Sequence, residues 1–188
     1  PTVPDEKSVA SIDQVVKEKE PIHLLFVGDL FFDRGIRYFA EKVVNGSPQG
    51  NDFIFEKISS ILKSYDLVIA NLEGPITNNK SISQTAIPGS SGHYTFTFNP
   101  SLAETLFNQN IRMVSLANNH TLNFGKQGII STKNYLDNAG VGYFGVPGGP
   151  ESSSVEINGV KIVFIGYDEF LDPLLEVNQK ITLDEIEK

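Results

Sequence analysis

The stretch Leu67-Val68-Ile69-Ala70-Asn71-Leu72-Glu73 decides the fold, because in it a short apolar run ends at an amide and a carboxylate. Continuous runs rich in Val, Ile and Leu are typical of strands buried on both faces of a largely parallel sheet. The pattern therefore predicts an α/β fold, a layered, mixed and mostly parallel sheet with helices on both faces. Three further stretches repeat it: Leu24-Leu25-Phe26-Val27-Gly28 before Asp29, Met113-Val114-Ser115-Leu116-Ala117 before Asn118-Asn119-His120, and Ile162-Val163-Phe164-Ile165-Gly166 before Tyr167-Asp168-Glu169.

The residues that follow these runs share one kind of chemistry. In open α/β sheets, ligands bind outside the carboxyl ends of the strands. Carboxylate, amide and imidazole side chains recur at that edge, and they are hard oxygen and nitrogen ligands. The sequence therefore predicts a metal-centred active site at the carboxyl ends of the strands.

The segments between the runs predict further elements. Asn158-Gly159 indicates a hairpin, because a type I′ turn needs positive φ at both positions. Residues 78–92 predict a long loop, which near a strand end is often functional. Helical spacing predicts helices over 36–44, closed by Asn45-Gly46, and over 53–65, 100–110 and 127–138, the last closed by Gly140, with short strands over 94–98 and 141–144.

Composition excludes several classes of site and partner. The chain of 188 residues is 40% hydrophobic, which is enough for one sizeable core. A net charge of −8 argues against nucleic-acid binding, which needs a basic patch. There is no cysteine, so disulfides and thiolate metal sites are excluded. No apolar stretch reaches the roughly 20 residues that cross a bilayer.

The two ends of the chain differ in character from its middle. Residues 1–21 predict a linker or membrane-proximal stalk, with a plain disordered tail as the alternative. Residues 22–188 predict one domain. Near the end, Thr182-Leu183-Asp184-Glu185 is a capping box that opens another helix. We therefore expect the chain to form the N-terminal part of a larger domain.

Three motifs in this order make a specific signal. They are Phe26-Val27-Gly28-Asp29 with Arg34, Ala70-Asn71-Leu72-Glu73-Gly74-Pro75-Ile76-Thr77, and Ser115-Leu116-Ala117-Asn118-Asn119-His120-Thr121-Leu122-Asn123-Phe124-Gly125. With them the chain resembles, from about residue 22 to 188, the bacterial capsule synthesis protein CapA family, also called the poly-γ-glutamate synthesis family. The resemblance implies a fold related to the calcineurin-like metallophosphoesterases.

The resemblance also implies a ligand set. Two divalent ions (Mn, Zn, Mg or Fe) would be held by Asp29, Glu73 and Asn119, with Asn71 and Asn118 beside them. Later histidine motifs of the family would complete the metal shell, and this sequence does not contain them. Asn123 stands where the family usually has Asp, so a carboxylate role there is not carried over.

Two residues are assigned catalytic roles. By resemblance, His120 would protonate the leaving group or hold the substrate, and an imidazole titrates near neutral pH as that role requires. Arg34 could clamp a phosphate or carboxylate with its planar fork, and a salt bridge to Asp33 or Glu73 is the alternative.

Structural roles remain open for several of these residues. Asp29 could cap the following turn, and Asp33 could cap the helix that begins near Arg34. Asn71 and Glu73 could brace a turn. A strand-end histidine is, taken alone, more often structural. Asp168 and Glu169 could cap a turn. For His93 the alternative is functional, because this residue could swing over the site from its loop.

Three functions compete at this point. The first is a metal-dependent hydrolase of phosphoryl or amide groups in capsule synthesis. The second is a non-catalytic surface module that binds or exports an anionic capsule polymer. The third is an incomplete domain that pairs with another chain or forms a homo-oligomer. The expected partners are an anionic polymer or a phosphorylated small molecule, and a membrane-bound synthesis complex. The expected location is extracellular or at the cell surface.

Overall fold

The computed structural model describes residues 20–149 and 152–168. The prediction of a stalk over residues 1–21 and the capping box at 182–185 therefore lie almost entirely outside the described residues. The helices and strands are, in chain order, β1 (Leu24–Leu30), α1 (Arg34–Glu41), β2 (Val43–Val44), β3 (Ser47–Pro48), α2 (Ser59–Leu62), β4 (Leu67–Leu72), α3 (Ser101–Asn108), β5 (Ile111–Ser115), α4 (Gly125–Ala139), β6 (Gly142–Phe144), β7 (Ser152–Ile157) and β8 (Val160–Ile165), with 3₁₀ turns at Asp52–Phe55 and Ser91–Tyr94.

A four-stranded parallel sheet forms the centre of the fold, in the order β1-β4-β5-β6. Its register places Asp29 of β1 beside Asn71 of β4, and Asn71 beside Ser115 of β5. The register of β1 shifts between Phe26 and Asp29, and this irregularity re-aims the end of the strand. The carboxyl ends of three neighbouring strands therefore meet at one edge, which confirms the α/β prediction.

The two faces of the sheet are covered differently. Leu62, Leu106 and Leu136, from α2, α3 and α4, pack with Val68 and Val114 in the larger core cluster. The side chains on the other face of the sheet belong to the smaller cluster, which also contains residues of the β7–β8 hairpin. The side chains of the hairpin alternate, so one of its two faces is apolar. That cluster consists of Leu67, Ile69, Met113, Phe144 and Phe164, with Val155, Ile157 and Ile162 packed against it. In the part of the chain that the structure describes, α2, α3 and α4 pack on one face and the β7–β8 hairpin packs on the other.

The hairpin at Asn158-Gly159 is confirmed, and its register runs from Ser152 paired with Ile165 to Ile157 paired with Val160. Asn158 and Gly159 have φ values of 51° and 72°, as a type I′ turn requires. The hairpin forms its own two-stranded antiparallel sheet. Among the described residues, the parallel strands and this antiparallel pair thus lie in separate sheets.

The helix predicted over 36–44 ends early. α1 stops at Glu41, and Val43 and Val44 pair with Ser47–Pro48 in a small hairpin. Asn45 and Gly46 both have positive φ, 53° and 84°, so they form a hairpin turn rather than a helix stop. Two consecutive β-branched residues favour the extended conformation that they adopt here.

Two other predictions of regular structure are wrong. The helix over 53–65 is divided into a 3₁₀ turn and the short α2, because i→i+3 bonds such as Ile58 N–H to Phe55 O tighten the backbone. The strand over 94–98 does not form, because the N–H groups of Phe96 and Thr97 donate to side chains instead of a ladder. The helices over 100–110 and 127–138 are confirmed, and Gly140 closes α4 at φ 77°.

Candidate functional site

A cleft of about 500 Å³ lies at the carboxyl edge of the parallel sheet. The strand-end cleft, as we call it, brings together residues that follow β4, β5 and β8, as the pattern of apolar runs predicted. It is lined by Asn71, Glu73, Ala117, Asn118, Asn119, Tyr167 and Asp168.

Asn71 connects the carboxylates of two different segments. Its Nδ2 donates to Asp29 Oδ1 at 2.8 Å and also to Glu73 Oε2. Asp29 and Asn71 are register neighbours on β1 and β4, and Glu73 comes directly after β4. One amide therefore holds two carboxylates beside each other at the edge of the sheet.

Glu73 is the residue whose titration this arrangement disturbs. Burial raises the pKa of Glu73 above its ordinary value, and the negative charges of Asp29 and Asp168 raise it further. The hydrogen bond from Asn71 and the positive charge that His120 can carry act in the opposite direction. The site therefore concentrates negative charge that a cation would neutralise.

Asn118 is a buried connector, with only 8% of its surface exposed. Its Nδ2 donates to Asn71 Oδ1 and to the carbonyl of Leu72, both at 2.9 Å. Its Oδ1 accepts from the backbone N–H of His120 at 3.0 Å and from Thr121 Oγ1 at 3.2 Å. These bonds fasten the loop after β5 to the end of β4.

His120 is held on three sides. Its Nδ1 lies 3.2 Å from Asn123 Oδ1, and that oxygen also accepts the N–H of Phe96. The Phe96 ring packs against the imidazole with 4.3 Å between centroids. Because Asn123 Oδ1 acts as an acceptor, Nδ1 carries the proton and Nε2 is left to face Glu73 Oε1 at 3.7 Å.

The sequence did not assign these supporting residues. Asn123 departs from the family pattern, and its hydrogen bonds show that it orients the imidazole. Phe96 lies in the segment predicted as a strand, and its ring packs against the imidazole of His120. Both roles depend on contacts between distant loops, for which the local sequence carries no signal.

Asn119 is exposed and lies beside His120, with Nδ2 at 3.3 Å from Nε2 of the imidazole. Asp168 is buried and lines the strand-end cleft together with Tyr167. Its charge acts on Glu73, so the fourth strand end contributes to the same site. Glu169 lies outside the described residues.

Arg34 lies in a different cavity. Neither of the salt bridges proposed for it, to Asp33 or to Glu73, forms within residues 20–149 and 152–168. Instead its NH2 donates to the carbonyl of His93. We call this cavity of about 400 Å³ the arginine pocket, and it is lined by Arg34, Gly35, Tyr38, Ser83, Gln84, Ala86, Pro88 and His93.

Asp33 takes the place that its structural alternative gave it, whereas His93 does not line the cleft over which it was expected to swing. Asp33 is the N-cap of α1, and its Oδ1 accepts from Arg34 N at 2.8 Å. His93 lines the arginine pocket with Arg34 instead of the strand-end cleft.

The side chains at the cleft include oxygen donors that suit a hard cation, but they do not include three converging His, Asp or Glu ligands among the described residues. Carboxylate and amide oxygens are preferred ligands of divalent ions. Within the described ranges, however, no three His, Asp or Glu side chains converge closely enough to hold one ion by themselves. Amide oxygens would therefore have to share the coordination. No helix in the same ranges has the length and apolar character needed to cross a membrane.

Comparison with known proteins gives a consistent picture. The sequence profile described as bacterial capsule synthesis protein PGA_cap matches residues 23–185. The PGA biosynthesis protein CapA of Bacillus subtilis (strain 168) is 30% identical over 149 residues, covering 77% of this chain and 36% of that protein. The capsule biosynthesis protein CapA of Bacillus anthracis is 24% identical over 160 residues, covering 81% of this chain and 36% of that protein. The chain thus spans about a third of the length of these relatives.

Proposed function

The chain belongs to the bacterial capsule synthesis protein family, and from that premise we propose that it is a metal-dependent, phosphoesterase-like hydrolase acting in the synthesis of a cell-envelope polymer such as poly-γ-glutamate. One observation carries the proposal. Two carboxylates, bridging amides and an oriented imidazole line or border a single cleft at the carboxyl edge of the sheet. That combination suits a metal-assisted displacement with an acid group close by.

The proposed metal ligands are the oxygens of Asp29 and Glu73 with the amide oxygens of Asn71 and Asn119. Burial and the charge of Asp29 raise the pKa of Glu73, so the free site carries an electrostatic cost that a cation would remove. Asn71 Oδ1 accepts one bond from Asn118 and has a second lone pair to offer. The family implies two ions of Mn, Zn, Mg or Fe, which when bound would polarise a phosphoryl oxygen and activate a water.

His120 would hold the proton for the leaving group. Asn123 fixes Nδ1 as a donor, so the other ring nitrogen, Nε2, is the atom that exchanges a proton with substrate. Glu73 Oε1 lies 3.7 Å from this nitrogen. Asn118, whose Oδ1 accepts the N–H of His120, keeps the backbone of this loop in place.

A non-catalytic module that binds or exports an anionic capsule polymer is the second candidate. The specific observation in its favour is that three His, Asp or Glu ligands do not converge in the described part of the site. In both candidates the partner would be an anionic polymer or a phosphorylated small molecule. We also propose a location at the cell surface, in contact with a membrane-bound synthesis complex, because the matched relatives are named for capsule and PGA biosynthesis.

Metal content tests the proposal directly. The chain is incubated with equal concentrations of Mn²⁺ and Zn²⁺, dialysed, and measured by mass spectrometry. We expect about one or two bound ions per chain. Replacement of Asp29→Asn together with Glu73→Gln should abolish retention, because it removes both carboxylates with little change in shape. A phosphomonoester screen then follows on the loaded protein and on His120→Ala.

A surface pair provides the matched control. Asp52→Asn with Glu56→Gln removes the same charge from exposed positions on and beside the 3₁₀ turn and should leave metal content unchanged. Equal metal content in the parent and the cleft variant would contradict the assignment of ligands. Bound metal without any phosphoesterase activity would favour the binding module.

A further inference from the structure

We propose that the arginine pocket binds a carboxylate of the substrate polymer, and that the polymer passes from there to the strand-end cleft. The identity of the polymer rests on the proposed function, whereas the site itself rests on the surroundings of Arg34. The ligand class is a planar carboxylate of the kind that a γ-linked glutamate chain carries on each residue.

The guanidinium of Arg34 is held in place before any ligand arrives. Its Cζ lies 5.6 Å, 5.8 Å and 4.9 Å from the ring centroids of Phe31, Tyr94 and Phe96. Its NH2 donates to the carbonyl of His93. A cation fixed by three aromatic rings loses little conformational freedom on binding, which favours affinity.

This cation has no carboxylate partner in the described part of the chain. The two carboxylate oxygens of Asp33 are taken by the backbone N–H groups of Arg34 and Thr97. Arg34 Nε makes no hydrogen bond there and is shielded from solvent. Among the described residues, none of those that line the pocket is acidic. In a protein with a net charge of −8, an unpaired and partly desolvated arginine marks a place where an anion is favoured.

The backbone conformation of Arg34 is unfavourable for a residue with a side chain, which indicates that the guanidinium has a role at this position. Arg34 has φ 53°, in the left-handed region that favours glycine and is rare for other residues. Strain of this kind tends to persist at binding sites, where the surrounding structure enforces it. Glycine would adopt this conformation without strain, so the presence of Arg here is explained by the guanidinium.

One aromatic ring contacts both Arg34 and His120. The Phe96 ring lies 4.9 Å from Arg34 Cζ on one side of the contact and 4.3 Å from the imidazole centroid of His120 on the other. A chain with regularly spaced carboxylates could therefore place one of them on Arg34 while a neighbouring unit reaches the cleft. Guanidinium recognises a planar carboxylate through a fork of two N–H groups, which a point charge cannot match.

Binding of a γ-linked glutamate pentamer tests the inference. Titration by calorimetry uses the whole chain in a metal chelator, so that the cleft contributes no metal-dependent binding. Arg34→Gln should weaken binding by about tenfold or more, the range for losing a charge-assisted hydrogen bond. Lys42→Gln removes the same charge from an exposed position directly after the same helix and should change affinity less than about twofold.

A second variant keeps the test valid if loss of Arg34 disturbs folding. Gln84→Glu adds a negative charge to the lining at an exposed position with almost no change in shape, and should weaken binding about threefold or more. Gln49→Glu makes the same change at an exposed position outside the pocket and should have no effect.

The outcomes separate cleanly. No pentamer binding by the parent chain, or equal losses in Arg34→Gln and Lys42→Gln, would overturn the inference. A parallel titration with inorganic phosphate distinguishes the anion, since Arg34-dependent binding of phosphate without the pentamer would overturn the carboxylate assignment. Because the experiment is done without metal, a failure of the proposed hydrolase leaves its result unaffected.

Discussion

The strand-end cleft and the arginine pocket are neighbours with opposite character. The cleft is built on strand ends, and the amide of Asn71 donates to the carboxylates of both Asp29 and Glu73. The pocket is built on a helix start and a long loop, and its charge is that of Arg34 among aromatic rings. One cavity therefore attracts cations and the other attracts anions.

Under the proposals above, this difference would let an acidic protein bind an anionic polymer. A carboxylate-lined cleft alone would repel such a polymer, and a cationic pocket alone would bind it without chemistry. Because the Phe96 ring contacts both His120 and Arg34, metal at the cleft and Arg34 in the pocket would attract the same chain at two nearby points. The predictions below test whether the two cavities are as distinct as this comparison requires.

The largest expected effect concerns two adjacent amides of the cleft. Asn118 is buried and makes four hydrogen bonds, whereas Asn119 is exposed. Asn118→Ala should lower the free energy of unfolding by about 2–3 kcal/mol, because it leaves buried partners unsatisfied. Asn119→Ala should change it by less than about 0.5 kcal/mol but reduce metal retention. Urea unfolding and metal analysis measure the two effects.

The opposite ranking would reassign both residues. A small loss of stability for Asn118→Ala, together with lost metal, would make Asn118 a ligand rather than a connector. The matched pair is informative because the two substitutions remove the same atoms from adjacent positions.

The sequence predicted the strands and the cleft because both depend on local pattern. Apolar runs that end at polar residues predicted that Asp29, Asn71 and His120 follow neighbouring strands, and parallel topology then brings them together. The Asn158-Gly159 turn was predicted for a similarly local reason. Asn45-Gly46 is also an Asn-Gly pair, which is typical of a hairpin turn such as the one between β2 and β3. The helical spacing of the apolar residues before it favoured a helix instead.

The arginine pocket could not be predicted from local pattern. Its contacts join Arg34 to His93 and Phe96, about sixty residues away, across a loop without regular structure. Asn123 is comparable, because its bond to the N–H of Phe96 decides the orientation of His120. Loop packing of this kind depends on tertiary contacts that neither propensity nor periodicity reports.

Phe96 provides the second test, because its ring contacts both His120 and Arg34. Phe96→Leu should cost about 1–2 kcal/mol of stability and shift the side-chain NMR signals of both His120 and Arg34. Phe31 contacts Phe96 and Arg34, at 4.8 Å and 5.6 Å, and is the matched control. Phe31→Leu should shift the Arg34 signals much more than those of His120. Equal shifts of both residues in both variants would mean that the cavities are one site.

A smaller effect follows from the electrostatics of Glu73. Its pKa is raised above 4.5 by burial and by Asp29, so the folded protein binds more protons than the unfolded chain between pH 4.5 and the raised pKa. The contribution of Glu73 to the free energy of unfolding therefore falls as pH rises through that window. Above the window the ionised Glu73 destabilises the folded protein fully. In a chelator, Glu73→Gln should be more stable than the parent at pH 7.5, with the gap closing toward pH 4.

Metal provides the internal check on this prediction. Addition of Mn²⁺ at pH 7.5 should stabilise the parent and leave Glu73→Gln nearly unchanged, because the cation removes the repulsion from Asp29. Glu104→Gln removes one exposed carboxylate from α3 and is the control for net charge. A stability gap that widens as pH falls would contradict the sign of the argument.

The smallest expected effect is a change in the titration of one ring. Asn123 Oδ1 accepts from His120 Nδ1 and from the N–H of Phe96, and an aspartate oxygen can accept both bonds. Asn123→Asp should therefore keep the geometry while placing a negative charge beside the imidazole, which favours its protonated form. The NMR titration midpoint of His120 should move to higher pH, whereas Asn78→Asp, an exposed change of the same charge, should move it much less. An unchanged midpoint would mean that Asn123 does not face Nδ1 in solution, and the assignment of Nε2 as the proton-exchanging atom would fail with it.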